Sequence, residues 1–272
     1  MCAKMLVPSE AKTGFIARAL AEGKWLCYKL RVRLFPILPL IAFVAPGPAA
    51  AAEQDRAVER EHMVLSVVSL VATSGARAGR EIRPSILDAL RRVPRHLFVP
   101  EGAQVAAYQN RPLPIGHNAT ISAPSIVALM TELLDPRPDQ SVLEVGTGSG
   151  YQAAVLAGLV REVRSIEIVE ELARSAGERL AALGHRNVRI RAGDGYSGWP
   201  EAAPFDRIIV TAAAPHVPQP LIDQLRPGGR LVIPVGRGED ERLMLIRKDS
   251  RGRITRRAIL PVRFVPLVRA AR

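Results

Sequence analysis

Cysteine is nearly absent from this chain, and the two it has, Cys2 and Cys27, both precede residue 53. Neither a disulfide framework nor a cysteine metal centre is therefore available to the globular part. Aromatic residues make up only 4% of the 272. They are not interleaved with the scattered arginines, as a site that stacks nucleic-acid bases would need, so nucleic acid is not expected as a partner. His117, His185 and His216 lack metal-ligand spacing and read as loop or surface residues; no metal is expected. Apolar runs long enough to cross a bilayer, about 20 residues, are missing too, which argues against stable membrane association.

Positive charge, by contrast, is in excess. The formal net charge is +12, and the stretch to Ala52 holds seven Lys/Arg against Glu10 and Glu22. Within that stretch Lys29, Arg31 and Arg33 precede the apolar run from Leu34 to Ala45, and a small-residue segment from Pro46 to Ala52 follows. This is the three-part layout of a secretory signal, although Pro36 and Pro39 interrupt the run and the lead-in is long. Residues 1–52 are accordingly set apart as a leader, signal-like or disordered. Residues 53–123 read as an irregular, partly helical cap, and 124–272 as one α/β domain.

Within the cap, the apolar stretch from His62 to Ala72 suits a helix, and Pro84 opens another that Pro94 stops. The segment from Phe98 to Asn118 is rich in Pro, Gly and Asn and reads as loop. From Pro124 onward the pattern is regular. Ile126, Val127, Met130, Leu133 and Leu134 mark one face of a helix, after which short apolar strands alternate with helical segments. The strands are expected at Ser141 to Val145, Val163 to Ile168, Val188 to Arg191, Arg207 to Thr211 and Arg230 to Val235. The helices are expected at Gln152 to Leu159, Glu170 to Leu183 and Pro218 to Gln224. Alternation of this kind implies a Rossmann-like α/β fold, a mostly parallel sheet with helices on both faces. Arg242 to Ile246 and Ile254 to Val268 read as antiparallel strands at its C-terminal edge.

The segment Glu144-Val145-Gly146-Thr147-Gly148-Ser149-Gly150-Tyr151 runs from a strand through a glycine-rich turn into a helix. Glycines there admit positive φ and let a ligand approach the backbone. A dinucleotide fingerprint wants its third glycine at relative position 6, where this chain has Tyr151. Two acids stand at the next strand ends. Glu167, about 20 residues beyond the turn, can accept hydrogen bonds from ribose hydroxyls, and Asp194, followed by Gly195, is placed for an adenine edge. Three successive strand ends point to one nucleoside-like ligand in the crevice beyond them.

These residues resemble the protein-L-isoaspartate O-methyltransferases, a family of class I S-adenosylmethionine-dependent enzymes. The resemblance runs from about Val93 to Val268 through Val93-Pro94-Arg95-His96-Leu97-Phe98-Val99-Pro100, Thr120-Ile121-Ser122-Ala123-Pro124, the glycine turn, Gly193-Asp194-Gly195 and Arg263-Phe264-Val265-Pro266-Leu267. It implies a protein-repair activity, transfer of a methyl group from S-adenosylmethionine to the free carboxylate of L-isoaspartyl residues in damaged proteins and peptides. It also implies that Ser122 is the active-site serine. Thr120, Ile121, Glu144, Gly146, Thr147, Gly148, Ser149, Gly150, Glu167, Asp194 and Gly195 would contact the cofactor, and Thr211, Ala212 and Val265 would join Ser122 around the substrate.

The reaction needs no general base, because a carboxylate of pKa about 4 is ionised at neutral pH. A place in a helix entry is the competing local reading for Ser122, since Pro124 suits a first helical position and leaves Ser122 near the cap. A small-molecule or nucleic-acid methyltransferase sharing this cofactor domain is the alternative function, and a non-catalytic module that keeps the cleft is a third. A monomer is expected. A cytoplasmic site is expected from the cofactor's source, with an exported or periplasmic protein as the alternative if the leader acts.

Overall fold

The computed structural model describes residues 48–73 and 81–269. Both cysteines and the signal-like segment up to residue 47 lie outside the described residues. Residues 48–52, assigned from sequence to the leader, instead open a helix, α1 (Pro48–Thr73), which begins well upstream of the expected His62. The Ala, Glu, Gln and Arg of that upstream stretch are strong helix formers, and local propensity carries the helix where no apolar period marks it. Met63, Val64 and Val67 are its buried contacts. A second helix, α2 (Pro84–Arg92), starts on its proline and buries Ile86, Ala89 and Leu90.

The segment expected to be loop is more ordered than its composition suggests. A 3₁₀ turn at Glu101–Ala106 leads into a hairpin of β1 (Leu113–Gly116) and β2 (Ala119–Ile121). His117 and Asn118 make its two-residue turn with φ of 51° and 55°. Turns of this kind match the twist of the flanking strands. The helix α3 (Pro124–Leu134) follows directly.

The main domain then alternates as expected: β3 (Ser141–Val145), α4 (Tyr151–Ala157), β4 (Glu162–Glu167), α5 (Glu170–Ala182), β5 (Val188–Ala192), β6 (Phe205–Val210), α6 (Gln219–Asp223), β7 (Leu225–Val235), β8 (Arg242–Lys248) and β9 (Ile254–Pro261). The sheet order is β5-β4-β3-β6-β7-β8-β9. Its first five strands are parallel, while β8 and β9 add antiparallel. Because β4 lies on one side of β3 and β6 on the other, the strand order reverses there. A crevice opens beyond their carboxyl ends.

Alternate strand residues supply two cores. Val142, Val163, Ile209 and Val232 face the layer that holds α1 to α4, whereas Leu143, Ile166, Ile208 and Ile233 face α6 through Leu221. One sequence expectation fails at the C-terminus, where the last strand stops at Pro261 instead of running to Val268. Residues 262–268 leave the edge and return over the strand ends. The Phe264 amide donates to the Glu241 carboxylate at 2.8 Å, and Ala213 exchanges backbone bonds with Val265 and Leu267 at 2.8 and 2.7 Å. Pro261 and Pro266 cannot donate to a ladder, which favours this departure.

Candidate active site

Three glycines shape the turn between β3 and α4, each for a separate reason. Gly146 (φ 95°) lies against Thr211, whose hydroxyl donates to the Gly146 carbonyl at 2.6 Å. Gly148 (φ 53°) lies beneath the hairpin, where an added Cβ would meet Ile115 Cδ1 at 3.3 Å. Gly150 (φ 88°) caps α4 and packs against Leu180 of α5. From the far side, the Arg179 guanidinium donates to the Ser149 carbonyl at 2.9 Å. Arg95 of the cap is fully buried, donates to the Ala107 carbonyl at 2.7 Å and lies 4.9 Å from the Tyr151 ring centre. The turn is thus held by the cap as well as by the sheet.

The acids separate into different roles. Glu167 ends β4 and its carboxylate accepts from the Gly148 amide at 2.8 Å and the Val169 amide at 3.1 Å. Each carboxylate oxygen has two acceptor sites, so capacity remains for a ligand hydroxyl. Asp194, at the end of β5, accepts from the Tyr196 amide at 2.9 Å through one carboxylate oxygen, which leaves the other with acceptor capacity. Glu144 is fully buried and hydrogen-bonds Ser165, and burial pushes its pKa up to about 8. Strand alternation explains the placement, since Val145 reaches the crevice wall and Glu144 points the other way. Glu144 and Gly150 thus pack behind the walls, while Asp194 stands at the end of β5 directly before Gly195, which lines the cavity.

The remaining candidates come together. A cavity of about 330 Å³ is enclosed by residues 117–120 of the hairpin, Gly146 and Gly148, the β4 end from Ile166 to Val169, Gly195, Thr211, Ala212 and the returning tail from Val265 to Val268. A slot of about 40 Å³ continues from it between Thr120, Ile121, Ser122, the glycine turn through Ser149, and Thr211. Beyond lies an outer cavity of about 130 Å³ formed by Pro112, Ser122, Ala123, Ile126 and the tail from Pro261 to Phe264. Thr120 borders all three, and Ser122 stands between slot and outer cavity.

Ser122 does not cap α3. Ala123 occupies the cap position, and the Ser125 amide is taken by the Asn110 side chain at 2.9 Å. Ser122 thus stands at the helix entry, one residue before the cap.

Sequence reasoning missed several wall residues. Asn118 sits at the hairpin turn on the cavity rim beside His117, an exposed turn residue as expected, and Ile168, Val169 and Val268 add apolar wall. Two extended runs separated by exactly two residues were the available signal for the hairpin.

The residues present fit S-adenosylmethionine. The volume lies within the ~300–1,000 Å³ of small-ligand sites, Glu167 offers acceptors for ribose hydroxyls, and Ile166, Ile168 and Leu267 offer apolar surface to a base. Glycine at 146 and 148 keeps Cβ atoms out of the approach. Among the described residues, no group of His, Cys, Asp or Glu could hold a metal ion.

Comparison with known proteins agrees with this geometry. The family model for protein-L-isoaspartate(D-aspartate) O-methyltransferase matches residues 71–272. The chain is 52% identical over 235 residues to protein-L-isoaspartate O-methyltransferase 2 of Syntrophobacter fumaroxidans, covering 86% of this chain and 95% of that one. It is also 52% identical to protein-L-isoaspartate O-methyltransferase 1 of Cupriavidus necator, covering 86% and 92%. Among solved structures, a protein-L-isoaspartate O-methyltransferase superposes with TM-score 0.66 at 28% identity, covering 76% of this chain and 65% of that one. A Plasmodium falciparum relative in complex with S-adenosyl-L-homocysteine gives TM-score 0.62 at 25% identity, covering 75% and 97%. With its glycine turn, Glu167 and Ser122 gathered around one crevice, this chain belongs to the protein-L-isoaspartate(D-aspartate) O-methyltransferase family.

Proposed function

We propose that the protein methylates the free carboxylate of L-isoaspartyl residues in damaged proteins and peptides, using S-adenosylmethionine. The observation that carries this reading is the position of Ser122, between the slot leading from the nucleoside-sized cavity and an outer cavity open to a peptide. S-adenosylmethionine, when bound, supplies a methyl carbon already activated by its sulfonium. The chain's own residues need only orient the reactants and exclude water. Glu167 and the walls of the large cavity hold the nucleoside, while Thr120 and Ile121 close over it from the hairpin. The Ser122 hydroxyl donates to the substrate carboxylate and fixes its direction of approach, and Thr211, Ala212 and Val265 bound the substrate side. The cap, residues 53–123, contributes the hairpin and Ser122 to a site whose other walls come from residues 124–272.

Further properties belong to the same proposal. Among the described residues no helix is long and apolar enough to cross a membrane. We read the protein as a monomer acting on isoaspartyl chains and not on nucleic acid. The cytoplasm, where S-adenosylmethionine is made, is its proposed compartment.

Transfer of labelled methyl to an isoaspartyl peptide, with the normal aspartyl peptide as control, tests the activity. Label entering tRNA or a metabolite but not the peptide would select a different methyltransferase. Ser122→Ala is expected to lower kcat at least ~10-fold, the cost of one transition-state hydrogen bond. The dissociation constant of S-adenosylhomocysteine should not move, and an unchanged turnover would remove Ser122 from the mechanism.

A further inference from the structure

Beneath the glycine turn lies a chain of three buried polar side chains that the transfer reaction does not use. Glu144, Ser165 and Thr147 are 0%, 0% and 4% exposed. The Ser165 hydroxyl lies within hydrogen-bond distance of the Glu144 carboxyl Oε2 on one side and 2.6 Å from the Thr147 hydroxyl on the other. The other Glu144 oxygen, Oε1, is buried with no partner among the described residues. Thr147 belongs to the glycine turn and lines the slot.

We infer that Glu144 is a positioning residue: as a neutral acid it donates to Ser165, Ser165 donates to Thr147, and the Thr147 proton is thereby turned out to donate into the slot. The slot continues from the nucleoside cavity, so the ligand group it would meet there is the carboxylate tail of the cofactor's amino acid. The inference rests on the cofactor assignment above and adds to it the state of a proton.

The surroundings favour the neutral acid. An ionised carboxylate with one bond and one bare oxygen would be costly at this depth. Burial is the largest cause that raises its pKa, to about 8, and Glu167 on β4 adds like-charge repulsion; only the Ser165 bond opposes them. On β6 its register partner is the apolar Ile209. In the helical layer, α4 supplies Tyr151, whose phenol burial holds neutral to about 12, with the Arg95 guanidinium over its ring, and α3 supplies Glu132, already paired with Arg83 at 3.2 Å.

Loss of the proton would reverse the chain. Ser165 must then donate to the carboxylate and Thr147 to Ser165, which withdraws the Thr147 proton from the slot. Protons and bonds balance in both directions, and only the polarity changes.

Calorimetry of S-adenosylhomocysteine binding from pH 6.5 to 9.5 tests this. In the wild type, affinity is expected to fall about ten-fold as pH rises through 8, the worth of one charge-assisted hydrogen bond. Glu144→Gln, which keeps the shape of the neutral acid and cannot ionise, should hold its pH 7 affinity across that step. Titration of the ligand's own ammonium appears equally in both proteins and cancels. Ser165→Ala cuts the chain with Glu144 in place and should also remove the step, which keeps the test decisive if Glu144→Gln folds poorly.

Without ligand the folded acid holds a proton that the unfolded chain releases near pH 4.5. Wild-type melting temperature should therefore decline between about pH 4.5 and 8, and that component should vanish in Glu144→Gln. The same affinity step in wild type and either variant overturns the inference. Failure of the wild type to bind S-adenosylhomocysteine at pH 7 would instead overturn the cofactor assignment.

Discussion

A Cβ on Gly146 would lie 2.6 Å from Thr211 Oγ1, on a side chain already committed to the Gly146 carbonyl. On Gly148 it would touch only the far end of Ile115, at 3.3 Å, and its φ of 53° is one that L residues visit at a cost of about 1–2 kcal/mol. Gly146→Ala is therefore expected to weaken S-adenosylhomocysteine binding more than ten-fold and lower stability by roughly 1–3 kcal/mol. Gly148→Ala should be milder in both; calorimetry and thermal unfolding that reversed this ranking would refute the assignment of Gly146 to the tighter contact. In sequence the two glycines are equivalent, and that the first needs bareness against Thr211 is visible only with β6 in place. Side-chain direction is the corresponding limit for Glu144. It stands where a cofactor acid would be expected, and packing turned it into the helical layer.

Among the elements, the parallel strands and α3 to α5 were legible because burial imposes the 2.0 and 3.6 residue periods on them. The hairpin β1–β2 was not, being three or four residues a side in a Pro- and Gly-rich segment. It is nonetheless the element that delivers Thr120, Ile121 and Ser122. The first turn of α3 has a similar dependence on a distant residue. Asn110 caps the Ser125 amide from the preceding loop, so Asn110→Ala should cost about 1 kcal/mol in stability. Because Ser122 stands just before that cap, the same change should raise KM for an isoaspartyl peptide while leaving S-adenosylhomocysteine affinity intact. Steady-state kinetics with no KM change would show that the cap does not govern the position of Ser122.

Across the whole molecule, the large cavity exists only where three distant stretches meet: the hairpin, the strand ends and the tail after Pro261. Val265 and Leu267 are bonded to Ala213 at 2.8 and 2.7 Å and close one wall. Ending the chain after Val262 preserves every strand of the sheet but removes that wall. It is expected to abolish measurable S-adenosylhomocysteine binding while circular dichroism retains the α/β signature; full affinity in the shortened protein would disprove the tail's part in the site. The amino-acid order by itself determined the alternation of elements, the glycine turn and the crevice beyond β3, because backbone freedom and burial period are local properties. Which wall each side chain joins was decided only by tertiary packing. Ser122 is freed by Asn110, Gly146 is pressed by Thr211 and the tail is drawn back to Ala213, through contacts between residues 15 to 65 positions apart whose pairing no local pattern encodes.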